Sequence, residues 1–148
     1  MSNKEKQIIV SVIASVVILV IYSLVVYNRY ISGNPEALND FIFWGKSFLI
    51  FIPVAIVAQI VIHILFAITN KIITNEDLTG KEDERDKLID LKGTKISHWI
   101  FTLGFMTAMG SQAIGMEPWV MFITLIMSGF VSSITGELAK IWYYQKGF

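Results

Sequence analysis

Apolar residues in this chain fall into four long blocks, about Ile8–Tyr27, Phe48–Ile68, Ile96–Gly115 and Pro118–Gly136. Each approaches the ~20 residues that a helix needs to cross a hydrocarbon core. Between the second and third lies a block of opposite character, Lys81–Lys92, dense in acids and bases. A soluble domain of 148 residues cannot bury so much contiguous apolar surface. The pattern therefore predicts an all-α integral membrane protein, a single domain of four transmembrane helices in an antiparallel bundle. The spans fall at about 8–29, 41–73, 95–115 and 118–143, with a charged helical extension at about 80–93 leading into the third.

Local signals refine that outline. Asn34 before Pro35 reads as a helix cap with proline at the first helical position, so a short surface helix should lead into the second span. The third and fourth spans join through little more than Met116-Glu117, with Pro118 opening the next helix, which makes them antiparallel neighbours. Pro53 should bend the second span by removing a backbone bond and crowding the preceding turn. Lipid tails give helices no hydrophobic reason to associate, so small residues must allow close approach. Gly104-x-x-x-Ala108 in the third span, and Gly129-x-x-x-Ser133 and Ser132-x-x-x-Gly136 in the fourth, supply such faces. They point to packing of the third span on the fourth, with homo-oligomerisation as the alternative.

Composition agrees: hydrophobic residues make up 54 % and charged residues 16 %, against ~25 % charge in soluble domains. Twelve basic and twelve acidic residues balance, so net charge gives no reason to expect direct nucleic-acid binding. There is no cysteine, hence no disulfide, thiolate metal site or cysteine nucleophile. The placement of charge says more than its sum. With a cytoplasmic amino terminus, ten of the twelve basic residues share that side and only Arg29 and Lys46 lie opposite. The positive-inside rule then puts both termini and the charged block in the cytoplasm, in a multi-pass cytoplasmic-membrane protein. Tyr27, Tyr30, Trp44 and Trp119 mark one headgroup level; Trp99, Trp142, Tyr143 and Tyr144 mark the other. Lys4 and Lys6 before an apolar run imitate a signal peptide, but the run is long and its exit bulky, so a retained anchor is expected.

The charged block has its own grammar. Thr79-x-x-Glu82 has capping-box form and should start a helix near Gly80. Glu82/Arg85 and Asp83/Lys87 are spaced for pairing, and Leu88, Ile89, Leu91 and Ile96 give the helix an apolar side. Gly93 permits a break with Thr94 as cap, but a continuous or lightly kinked helix is preferred. The run Asp83-Glu-Arg-Asp86, then Ile89 and Lys92-Gly93 ahead of an aromatic-rich span, resembles an Asp-Glu-Arg-Asp-x-x-Ile-x-x-Lys-Gly motif. That motif marks small four-span bacterial and archaeal membrane proteins of unknown function. The likeness covers about 15 of the 148 residues. It implies a regulatory or sensory partnership, with a helix-turn-helix regulator as partner, and carries over no catalytic or binding residue. Asp83, Glu84, Arg85, Asp86 and Lys92 are thus candidate partner-binding residues, against the simpler reading of a solvated, self-paired helix. A metal site is not expected, since the acids lack EF-hand spacing and bases compete.

Ionisable groups within the spans are candidates by default. Glu137, 19 residues past Pro118, should lie about 28 Å along its helix, at the inner boundary, with Lys140 one turn on. His98 is similarly shallow. His63 lies ~10 Å inside the face near Asn70, and Gln59 is deeper on the same helix side. Gln59, His63, His98, Glu137 and Lys140 could form an intramembrane polar cluster, either proton-sensitive or simply bonded across a helix interface. No catalytic or phosphate-binding motif is present, and no cofactor is expected. The resulting expectation is a small non-enzymatic membrane protein with a regulatory, sensory or accessory role through its charged loop. The alternative is a small oligomeric transporter or channel built on the polar cluster.

Overall fold

The computed structural model describes residues 3–74 and 83–146, and the chain is all-helical there. Helix α1 covers Asn3–Val26 and continues through a π-turn, Tyr27–Ile31, closed by the Ser32 N–H donating to the Tyr27 carbonyl at 2.9 Å. A 3-10 turn at Pro35–Asn39 leads into α2, Phe41–Thr74. Helix α3 spans Glu84–Ala113 and α4 spans Pro118–Lys146. Much of α1 is β-branched valine and isoleucine, poor helix formers in water. In an apolar medium a backbone must satisfy its own hydrogen bonds, and helix is then the available solution.

Three of these helices are long and apolar enough to cross a membrane: Asn3–Ile31, Phe41–Ile73 and Pro118–Lys146. Helix α3, with 30 residues, is long enough, but its charged start and its Ser97, His98, Thr102, Ser111 and Gln112 dilute it. Large apolar side chains point outward throughout, as Leu49, Ile72 and Ile73 do with about three quarters of their surface exposed. This inverted distribution is what a lipid-covered surface requires.

The ends of the elements follow local chemistry. Asn34 precedes Pro35 at the first position of the 3-10 turn, as the sequence indicates, but caps it through its backbone carbonyl and not its side chain. Asp40 starts α2, its Oδ1 accepting from the Ile42 N–H at 2.8 Å. In the described residues the cap of α3 is Asp83. Its Oδ1 accepts from Glu84 N–H at 2.7 Å, and Asp86 Oδ2 accepts from Asp83 N–H at 3.3 Å. Thr79, Gly80 and Glu82 lie outside the described residues. The helix then runs unbroken through Gly93. It ends on Gly115 at φ +79°, with Met116 N–H returning to Ser111 O and Gly115 N–H to Gln112 O, both at 3.0 Å. This is a Schellman stop, which needs a residue free to adopt positive φ. Pro118 opens α4 three residues after Gly115.

Helices α3 and α4 form the tightest pair. A Cβ at Gly93 would stand 2.9 Å from the Gly136 carbonyl oxygen, and one at Gly104 would overlap the Ser128 side chain. Ala108, Ser111 and Ser132 are buried along the same seam. On α4 it is therefore Ser132-x-x-x-Gly136 that faces α3, whereas Gly129 meets only Phe101, at an ordinary 3.9 Å. Helix α1 lies against α4 and against α2. Tyr22 near its end donates to the Ser47 carbonyl near the start of α2 at 2.7 Å, so these two run antiparallel. Helix α2 also leans on the start of α4 through Trp44, whose ring stacks on Phe122 at 5.2 Å.

Candidate functional site at the charged end

The beginnings of α1 and α3 and the end of α4 meet at one end of the molecule. The Schellman turn sets the α3–α4 register, so residues equally far from it face each other. Asp86 lies 28 residues before Ile114, and Tyr144 lies 27 after Glu117. The Tyr144 hydroxyl donates to Asp86 Oδ1 at 2.8 Å. Arg85 Nη2 donates to the Tyr144 carbonyl at 3.3 Å, and Lys4 Nζ brings α1 within 3.9 Å of Asp86 Oδ2. Lys92 Nζ sits 5.2 Å from the centre of the Tyr143 ring, within cation–π range.

One turn nearer the middle, Lys140 holds two acids together. Its Nζ is 2.9 Å from Glu137 Oε1 and 3.2 Å from Asp90 Oδ1. The lysine is mostly buried and Asp90 about half exposed, so the cross-helix link is partly screened and the intrahelical one less so. A small polar recess of about 90 Å³ opens beside it, lined by Gly93, Thr94, Ser97 and Ser133. Ile89, between Asp86 and Asp90, is fully buried. Positions 86, 89, 90 and 93 therefore form the face of α3 laid on α4. Glu84, Lys87, Leu88, Leu91 and Lys95 form the exposed face.

The candidate residues of the charged motif thus divide. Asp83 caps, Asp86 and Arg85 bond to Tyr144, Lys92 covers Tyr143, and Glu84 projects outward. Of the expected polar cluster, Glu137 and Lys140 are brought together. Gln59 belongs to another interface: its Nε2 donates to Ser15 Oγ on α1 at 2.6 Å and to the Ser11 carbonyl at 3.4 Å. Its Oε1 is buried with no hydrogen-bond partner. His63, one turn along α2, is half-buried, and His98 is exposed on α3. Among the described residues no three His, Asp or Glu side chains gather as a metal site would require.

Tyr144, Tyr143, Lys4 and Asp90 complete this junction and were not singled out from the sequence as partners of the charged motif. The signal that reaches two of them, Tyr144 and Asp90, is counting outward from the turn. Asp90 is 24 residues before Ile114 and Lys140 is 23 after Glu117, which pairs them as surely as Asp86 and Tyr144. Lys4 belongs to a different hairpin and no such count places it. Together these observations define an all-helical protein whose three candidate spans suggest multi-pass membrane insertion. Comparison with family models, curated proteins and solved structures finds no match.

Proposed function

We propose that the chain is a four-span protein of the cytoplasmic membrane, without enzymatic activity, that serves a regulatory, sensory or accessory role through the start of α3. Two features support counting α3 as the fourth span. The tight turn holds it antiparallel to α4, so it shares α4's depth. Three of its hydroxyls are also satisfied within the helix: Thr102 bonds to the His98 carbonyl, Thr107 to Leu103 and Ser111 to Ala108. This lowers the penalty for placing them in hydrocarbon. The ten-to-two division of basic residues supports a cytoplasmic charged end.

The observation that carries the functional reading is the two-sidedness of the α3 extension. Its inner face is fixed on α4 by the Asp86, Arg85 and Lys140 contacts. Its outer face presents Glu84 and Lys87 with Leu88 and Leu91, which are about half and two thirds exposed. A held helix showing leucines between charges fits docking of a soluble protein in the helix-in-groove manner. The motif resemblance makes a helix-turn-helix regulator the first partner to try. The test is capture of soluble proteins by the full chain in lipid nanodiscs. Replacing Leu88 and Leu91 by serine should abolish recovery, and Asp90→Asn should not. Identical recovery by the wild type and the leucine variant removes the proposal.

One observation favours the transporter or channel reading, the partnerless Gln59 Oε1 within the α1–α2 interface. Against it, Gln59 and the Glu137–Lys140 pair use different interfaces, so no polar path joins them directly. Absence of flux in proteoliposomes discards it, and flux that survives His63→Ala, Gln59→Leu and Glu137→Gln discards the polar residues as its path.

A further inference from the structure

At the end away from the charged junction, α1, α2 and α4 do not close on each other but leave an apolar cleft of about 530 Å³. That volume lies within the ~300–1,000 Å³ of small-molecule sites. Its walls are Tyr22, Trp44, Phe48, Phe51, Trp119 and Met127. Two of the polar groups in the lining are engaged elsewhere: Tyr22 hydroxyl donates to the Ser47 carbonyl at 2.7 Å, and Trp44 Nε1 to the Leu38 carbonyl at 2.7 Å. The second bond fastens the 3-10 turn over the cleft, with Leu38 facing in. The cleft is thus roofed on its aqueous side. Its exposed lining residues, Ser23, Leu24, Tyr27, Ile123 and Met127, lie within the candidate spans, so it opens sideways.

We infer that this cleft holds one acyl chain of an anionic phospholipid from the adjoining leaflet, with its phosphate at Arg29 and Lys46. Depth matches such an occupant. From Trp119 to Met127 is eight residues of helix, about 12 Å, against ~15 Å for half of a hydrocarbon core. Charge matches it too. Arg29 stands beside Tyr30, its guanidinium carbon 5.8 Å from the ring centre. The Tyr30 ring is in turn 6.4 Å from Phe43, which lines the cleft. Lys46 lies one turn past Phe43, exposed. Of the three acids at this end, Asp40 caps the Ile42 amide and Glu117 accepts from Trp119 Nε1. Glu36 is exposed on the 3-10 turn above. A chain dissolved in the membrane reaches the opening directly, whereas a water-soluble ligand meets the roof.

The inference rests on the membrane-spanning part of the proposed function and not on its partner. Trp44 lines the cleft and is otherwise shielded by the protein, at 7 % exposure, so contact quenching of its ring reports a group inside the cleft. The test uses the W99F/W119F/W142F chain in phosphatidylcholine vesicles carrying phosphatidylglycerol brominated on its acyl chain. Trp44 emission should be quenched, and either S23L or S47L, each filling the cleft, should remove most of that quenching. R29Q and K46Q should each raise the bromolipid fraction needed for half-quenching about fivefold, leaving quenching by a brominated long-chain alcohol unchanged. Insensitive Trp44, equal quenching in both filled variants, or an alcohol as effective as the phospholipid overturns the inference. In the unsubstituted chain, quenching of exposed Trp99 and Trp142 reports insertion separately. If they too stay bright, the membrane reading itself has failed.

Discussion

Two glycines that look alike in the sequence should respond in opposite ways to the same methyl group. Gly129 and Gly136 both sit in small-x-x-x-small patterns on α4. A Cβ at Gly136 would lie 3.0 Å from the Gly93 carbonyl oxygen and 3.0 Å from Ser97 Cβ. Ordinary separations are ~3.3–3.6 Å for carbon against carbonyl oxygen and ~3.5–4.0 Å for carbon against carbon. One contacting atom is backbone, so the helices must part by about half an ångström. Overpacking of this kind costs about 1–3 kcal/mol. At Gly129 the nearest atom to a new Cβ is Phe101 Cε2 at 3.9 Å, and nothing has to move.

Alanine is favoured over glycine inside a helix by about 0.8–1.0 kcal/mol in water, a gain common to both substitutions. It therefore cancels in the comparison, and the overpacking difference of about 1–3 kcal/mol remains. Gly129→Ala should be neutral or stabilising, and Gly136→Ala destabilising relative to it by that amount. The assay is reversible unfolding in mixed micelles, titrated with a denaturing detergent and followed by far-ultraviolet circular dichroism. A Gly136→Ala protein as stable as the Gly129→Ala protein would refute the register of the α3–α4 seam.

Three further outcomes are expected. A double-mutant cycle of Asp86→Asn and Tyr144→Phe should show coupling of about 1–2 kcal/mol, the range for a bond to a charged group discounted for partial exposure; zero coupling in the same unfolding assay removes the junction. Gln59→Leu should be neutral or stabilising, since a buried carbonyl oxygen without a partner is removed along with its bond to Ser15; a loss above about 1 kcal/mol contradicts that account. In the cysteine-free chain, single cysteines at Asn34 and Lys87 should label with an impermeant maleimide from opposite sides of intact cells, Asn34→Cys from outside and Lys87→Cys only after lysis; labelling of both from outside would overturn the orientation.

The sequence announces elements here far better than it announces partners. Apolar runs, Pro35, Gly115 and Pro118 mark where helices start and stop, because those signals are local and each has one geometric meaning. The α3–α4 seam is half-legible, since Gly104 and Ala108 select the face but only the turn selects the register. Gln59 was harder to place: its partners Ser11 and Ser15 belong to α1, joined to α2 by a connection whose π-turn and 3-10 turn have no fixed register in the sequence. Gln59 and Glu137 share a similar depth along the membrane normal, and similar depth is not proximity. Depth is one coordinate of three, and the remaining two depend on how the hairpins lie against each other. The start of α3 shows the same limit. Thr79-x-x-Glu82 and Asp83-x-x-Asp86 both offer acceptors at capping spacing, and only the second also places Asp86 on Tyr144.

That coincidence changes how the charged motif should be tested. Asp86 both closes the cap of α3 and receives the Tyr144 hydroxyl, so its loss frees two donors at once and loosens the helix from α4. Alanine at Asp83, Arg85 and Asp86 together would thus abolish partner capture even if no partner ever touched them. Leu88 and Leu91 make the cleaner probes, because they lie on the exposed face and removing apolar surface from water does not weaken a fold. A partner lost with the leucines, in a chain whose Asp86–Tyr144 coupling is intact, is lost at the surface. One lost only with Asp86 is lost through the geometry of the helix that presents that surface. Separating the two requires both variants in the same preparation, with unfolding measured beside capture.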